Sequence, residues 1–209
     1  MTGEPSSMHG GPDSAIRVEA ADGMEIITFD DADQWESWLD GHHEVCAGAW
    51  LKIAKKNSGR TSVTCPEALD VALCYGWIDS QRRSCDETHF LQKYSRRRPG
   101  SLWSKVNVDK VEALVAAGRM REPGLAEVLS AKADGRWDAA YESQKNATVP
   151  PDLADALERN GQAKGSFELL NRTDRYIVIL RLAQTRTPDG RAARLQKMIA
   201  MLEAGERIR

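Results

Sequence analysis

Two extended stretches, Trp77 to Arg82 and His89 to Ser95, are joined through Ser84-Cys85-Asp86-Glu87, and this arrangement reads as a β-hairpin. A hairpin is not stable alone in water; it needs further strands or a covering layer. The residues before it supply both. Glu25 to Phe29 reads as a short strand. Ala47 to Lys55 reads as another, with Ala49, Leu51 and Ile53 on one face and Trp50, Lys52 and Ala54 on the other. Between them, Asp31-Ala32-Asp33-Gln34 resembles a capping box opening a helix that carries Trp35, Trp38 and Leu39, with Gly41 as its stop. Thr64-Cys65-Pro66-Glu67 opens a second helix with Leu69, Ala72 and Leu73, stopped at Gly76.

Beyond Pro99 the spacing turns helical. Asn107 is expected to cap a helix with Val108, Val111, Leu114 and Val115, ended by Gly118; Pro123 opens another that ends near Gly135. Pro151 starts a third, ended at Asn160-Gly161, and Phe167 with Leu170 suggests a short fourth. Thr173 is expected to cap Tyr176 to Ala183, where Ile177-Val178-Ile179 gives a competing strand signal that the flanking arginines outweigh. Thr187-Pro188 opens the last helix, ended at Gly205. The fold class is therefore α+β. A small antiparallel sheet with covering helices (24–100) is followed by an all-α half (101–209), and residues 1–23, rich in Gly, Pro and Ser, form a disordered lead-in.

Composition narrows the setting. No apolar run approaches the roughly 20 residues that span a bilayer, and the first residues lack the basic and apolar regions of a secretory signal, so a cytoplasmic location is expected. Four cysteines show no C-x-x-C spacing. Cys65, Cys74 and Cys85 with His89 match no common zinc pattern, and the thiols read as small buried hydrophobes. No metal and no cofactor are expected. Residues 1–50 carry eleven acidic groups and one basic group, Arg17; with a net charge of −2 overall, the remainder carries +8. That basic body favours anionic partners, or simply presents a solvated face. No nucleic-acid-binding module is legible, and no G-x-S-x-G or P-loop occurs.

The densest polar region runs from Cys74 to Asn107. Arg96-Arg97-Arg98-Pro99-Gly100-Ser101-Leu102-Trp103-Ser104 places guanidinium forks, which hold carboxylate or phosphate in paired hydrogen bonds, before a helix start that itself favours an anion. The same residues also read as a cap, a packed indole and solvated arginines. Asp79 is either a general base or orienting group beside Arg97 or Arg98, or half of a structural ion pair. His89 is the one histidine within this region. Arg136, Trp137 and Tyr141 fall within two expected helical turns, where Arg stacked on Trp would make a rigid wall. Lys52 extends the positive surface.

These stretches resemble the YdeI/OmpD-associated, or bacteriocin-protection, family. The resemblance is carried by Trp50 to Lys56, Glu67 to Asp79, Ser101 to Asn107, Ala117 to Met120 and Asp134 to Tyr141. Where the family pattern has Pro-Arg-Arg-Pro, this chain has Arg96-Arg97-Arg98-Pro99. The resemblance implies a part in protection against bacteriocins or cationic antimicrobial peptides, and no catalytic set. The resulting expectation is a small anionic or amide-bearing ligand held between the sheet and the helical half. Arg97, Arg98, Ser101, Ser104 and Asn107 would face the ligand, Asp79 would orient a donor, and Trp77, Trp103 and Trp137 would form walls. The alternatives are a cofactor-free enzyme using Asp79 or His89 as acid/base, and a basic-surface protein that meets an acidic protein partner.

Overall fold

A computed structural model describes residues 18–19, 22–185, 187–206 and 208; the expected lead-in lies for the most part outside these. The chain divides into two units: residues 1–99 with 111–129, and residues 100–110 with 130–209.

In the first unit, β1 (Val18–Glu19), β2 (Glu25–Ile27), β3 (Gly48–Ala54), β4 (Trp77–Ser84) and β5 (His89–Arg96) form one sheet in the order β1-β2-β3-β5-β4. The α+β class holds, and the sheet is mixed: β2 runs parallel to β3 because α1 (Ala32–His42) is the crossover between them, while β3–β5 and β4–β5 are antiparallel. A register shift between Asp79 and Arg82 puts one extra residue into β4, a bulge. The alternation expected for β3 is present, with Ala49, Leu51 and Ile53 buried and Lys52 partly open. Trp50, on the opposite side, is also buried. Its indole N–H donates to both Asp22 carboxylate oxygens at 3.0 Å, and the Arg83 guanidinium lies 4.5 Å from its ring.

α1 begins where expected, with Asp31 accepting from the Gln34 amide, but it does not stop at Gly41. His42 Nδ1 lies 2.7 Å from the Trp38 carbonyl and His43 Nδ1 2.9 Å from that of Leu39, so imidazoles satisfy the last carbonyls and helical backbone continues past the glycine. α2 (Cys65–Cys74) carries the expected Thr64/Glu67 capping box. Of the four thiols only Cys74 is buried, where desolvation pushes its pKa up to about 11; Cys85 lies exposed in the hairpin turn.

The start of α4 (Glu122–Ala133) docks on the end of α2, and the Arg121 amide donates to the Cys74 carbonyl at 3.2 Å. A Cβ on Gly124 would stand 2.2 Å from that carbonyl oxygen and 2.8 Å from that of Leu73. Both obstacles are backbone, so Gly124→Ala should destabilise the first unit by about 2–3 kcal/mol through overpacking. Denaturant titration followed by circular dichroism checks this, and a loss below about 0.5 kcal/mol would show that the two helices separate freely.

The second unit holds the start of α3 (Lys105–Ala116), which comes earlier than expected. Ser104, not Asn107, is its cap: the Ser104 Oγ accepts from the Asn107 amide at 3.2 Å. Ser104 is held extended because Trp103 and Lys105 pair with the Tyr141 backbone at 3.0 and 2.8 Å. α5 (Pro151–Glu158), α6 (Gly161–Leu169), α7 (Arg172–Ala183) and α8 (Pro188–Glu203) enclose a core that includes Leu153, Leu157, Phe167, Val178, Leu182, Met198 and Leu202. The strand signal at Ile177-Val178-Ile179 loses to helical burial, since Val178 fills the core and its neighbours pack on it. Asn171, not Thr173, caps α7; Thr173 sits in the first turn, where its hydroxyl accepts from Gln144 instead. Residues 134–139 form turns rather than helix, with Gly135 at φ 76°.

Candidate functional site

β5 brings Lys93 and Ser95 to one edge of a cleft of about 620 Å³ within the first unit, and Arg96, Arg97 and Arg98 continue that edge as the chain leaves the strand. This is the size range of small-molecule sites. The other lining groups come from elsewhere in the unit: His43 and Glu44 after α1, Tyr75 and Gly76 between α2 and β4, and Pro123 and Glu127 on α4. Gly76 is what lets these segments meet. It adopts φ 71°, which favours glycine, and a Cβ there would stand 3.0 Å from both the Pro123 carbonyl and the Glu127 side chain. Its carbonyl accepts from the Arg97 amide at 3.1 Å.

The three arginines differ. Arg97 is only 6% exposed, while Arg96 and Arg98 are open to solvent. Arg97 also reaches Asp79 electrostatically. Neighbours crowd the Asp79 carboxyl although the residue keeps an open edge to water. Desolvation raises its pKa above the usual carboxylate value, against the pull of its own backbone amide, Arg82 and Arg97. Asp79 pairs with Tyr94 across the sheet and does not itself line the cleft.

Trp77 is fully buried in T-shaped contact with Trp35 and Trp38, both at 6.2 Å, so its indole belongs to the core of the first unit. His89 and Lys52 gather at the hairpin turn. His89 Nδ1 lies 2.8 Å from the Thr88 hydroxyl and 3.3 Å from Asp86, whose carboxylate accepts from Lys52 Nζ at 2.9 Å. The hydrogen bond from Lys52 and those from Thr88 hold Asp86 far below the usual carboxylate range.

Ser101, Trp103, Ser104, Asn107, Arg136, Trp137 and Tyr141 belong to the second unit, where they come together as a structural knot. The Trp103 and Trp137 rings lie 4.9 Å apart, both buried. Arg136 does not stack on Trp137; Lys132 does, its Nζ 5.2 Å from the ring. The Arg136 guanidinium instead donates to Asp134 at 2.7 Å, to the Ser101 carbonyl at 2.9 Å and to the Ser130 hydroxyl at 3.1 Å.

Sequence reasoning missed His43, Glu44, Tyr75 and Glu127. His43 Nδ1 faces the Leu39 carbonyl and so carries the proton in the neutral ring, leaving Nε2, 3.9 Å from Glu44, as an acceptor. The Tyr75 hydroxyl donates to Asp40 at 3.2 Å, and burial raises its pKa. Only the adjacency of Tyr75 to Gly76-Trp77 offered any local signal.

No group of three or more His, Cys, Asp or Glu side chains among the described residues can hold a metal ion, and no helix among them is long and apolar enough to cross a membrane. Residues 146–205 match the family model described as bacteriocin-protection, YdeI or OmpD-associated, and residues 27–127 match a domain of unknown function, DUF8412. The first match lies downstream of the motifs between Trp50 and Tyr141 that carry the resemblance. Nothing among the curated proteins or the solved structures matches the chain.

Proposed function

We propose that this chain, which carries a bacteriocin-protection, YdeI or OmpD-associated domain over residues 146–205, is a cytoplasmic stress-protection protein that binds a small anionic molecule in the cleft at the end of β5. One observation carries the reading. A largely buried arginine, Arg97, stands in the wall of a hollow of about 620 Å³ beside Arg96, Arg98 and Lys93. Burial holds the Arg97 segment in place, and the exposed guanidinium forks of Arg96 and Arg98 on either side match the paired hydrogen bonds of a carboxylate or phosphate. Asp79 feels the field of Arg97 but does not line the cleft, so it is not a ligand contact.

Citrate, glutarate and inorganic phosphate are suitable first probes. At least one of them is expected to raise the melting temperature by several degrees at a hundredfold excess over its Kd. Arg97→Ala and the solvent-exposed Arg98→Gln should both remove that shift. Because Arg98 is exposed, its variant folds whatever becomes of Arg97→Ala. A shift retained in both variants would take the arginines out of the site, and no shift in the parent chain with any of the three anions would end the reading.

A further inference from the structure

The same hollow holds charges of both signs that do not neutralise one another. Its cations all come from one segment, Lys93 to Arg98, whereas its carboxylates come from Glu44 in the connection after α1 and from Glu127 on α4. Among the described residues Glu127 forms no ion pair within 4 Å, and the nearest basic group to Glu44 is the His43 Nε2 at 3.9 Å, which carries no proton in the neutral ring. Arg96 and Arg98 likewise have no carboxylate partner among these residues, while Lys93 is tied to Asp22 at 3.3 Å. Opposite charges at contact distance attract, and desolvation and side-chain entropy oppose the pairing. Long, flexible side chains that share a cleft and still stay apart leave an anionic and a cationic acceptor position facing one hollow.

From this juxtaposition we infer that the ligand of the cleft is a small zwitterion. Its carboxylate lies on the arginine edge, and its ammonium group lies toward Glu127 and Glu44, several bonds away. Gly76 fixes the separation: its carbonyl anchors the Arg97 backbone, and the Glu127 Cγ stands 3.0 Å from where a Cβ on it would lie. The His43 Nε2, an acceptor in the neutral ring, adds a third partner for an ammonium N–H on the same side as Glu44. This inference rests on the anion-binding reading above and adds the second charge.

Amide-shift titrations of the full chain at Gly76, Ser95 and Arg96 test it. The probes are the ω-amino acids from 3-aminopropanoate to 8-aminooctanoate, with hexanoate and hexylammonium as single-charge controls. One chain length is expected to bind about tenfold or more tighter than hexanoate, equal to a gain of about 1.4 kcal/mol from the second contact, with weaker binding on either side of that length. Glu127→Gln combined with Glu44→Gln should bring that preference down to about unity. Hexanoate binding as well as every ω-amino acid, with Arg98→Gln weakening all of them, would overturn the zwitterion and leave the anion site standing. A length preference that survives the double carboxylate change would also overturn it. Failure of every probe, hexanoate included, would overturn the zwitterion, while the anion reading is decided by citrate, glutarate and phosphate.

Discussion

Replacing Trp35 with alanine should lower the unfolding free energy of the first unit by about 3–5 kcal/mol, the range for deleting a large aromatic from a close-packed core. Trp35 has no exposed surface and stands at the centre of the aromatic cluster under the sheet. Phe29, Trp38 and Tyr94 lie 5.4, 5.3 and 5.8 Å from its ring, and Trp77 meets it edge-on at 6.2 Å. Its indole N–H donates to the Ala68 carbonyl at 3.0 Å, which ties α1 to α2. Alanine removes the ring contacts and the helix–helix hydrogen bond at once, and the cavity cannot collapse because its walls are themselves rigid rings. Trp35→Phe separates the two effects. It keeps most of the packing and loses the hydrogen bond, for a cost of about 1–2 kcal/mol. Urea unfolding followed by far-ultraviolet circular dichroism measures both. A loss under 1 kcal/mol for Trp35→Ala would mean that the cluster is not what holds α1 to the sheet.

Local chemistry made much of this fold readable. Thr64 and Glu67 form a capping box because both halves of the interaction lie within four residues, and the hairpin from Trp77 follows from two extended stretches with a short connection. What escaped was decided by partners distant in the chain. Gly41 looked like a stop, yet the two histidines after it bond back to the helix carbonyls. Asn107 looked like a cap, but Tyr141, 34 residues on, holds Ser104 extended and starts the helix there. The candidate site divides in the same way. The arginine run was plain in the sequence, but which guanidinium turns inward depends on where β5 ends and on the Gly76 carbonyl that receives Arg97. His43, Glu44 and Glu127 join the arginines only through the packing of α1 and α4, which no period of 2 or 3.6 residues encodes.

Arg136→Ala should cost the second unit about 3 kcal/mol, the largest effect expected there from a polar residue. The side chain is 4% exposed, and its planar fork makes three separate attachments: Nε to Asp134 at 2.7 Å, Nη1 to the Ser101 carbonyl at 2.9 Å and Nη2 to the Ser130 hydroxyl at 3.1 Å. Breaking a fully buried charge pair costs about 3–5 kcal/mol. Here the Asp134 side chain is 47% exposed and regains water, which places the expected loss at the lower end. What cannot be recovered is the alignment of the segment before Trp103 with the turn that carries Trp137, because one guanidinium holds both. Arg136→Lys keeps the charge and is still expected to lose about 2 kcal/mol, since a single ammonium cannot replace the three-way reach of the planar guanidinium fork. The two variants therefore distinguish geometry from charge. Near-ultraviolet circular dichroism of the Trp103–Trp137 pair, read alongside urea unfolding, should weaken in both. If lysine restored full stability, charge alone would suffice and the fork would be incidental.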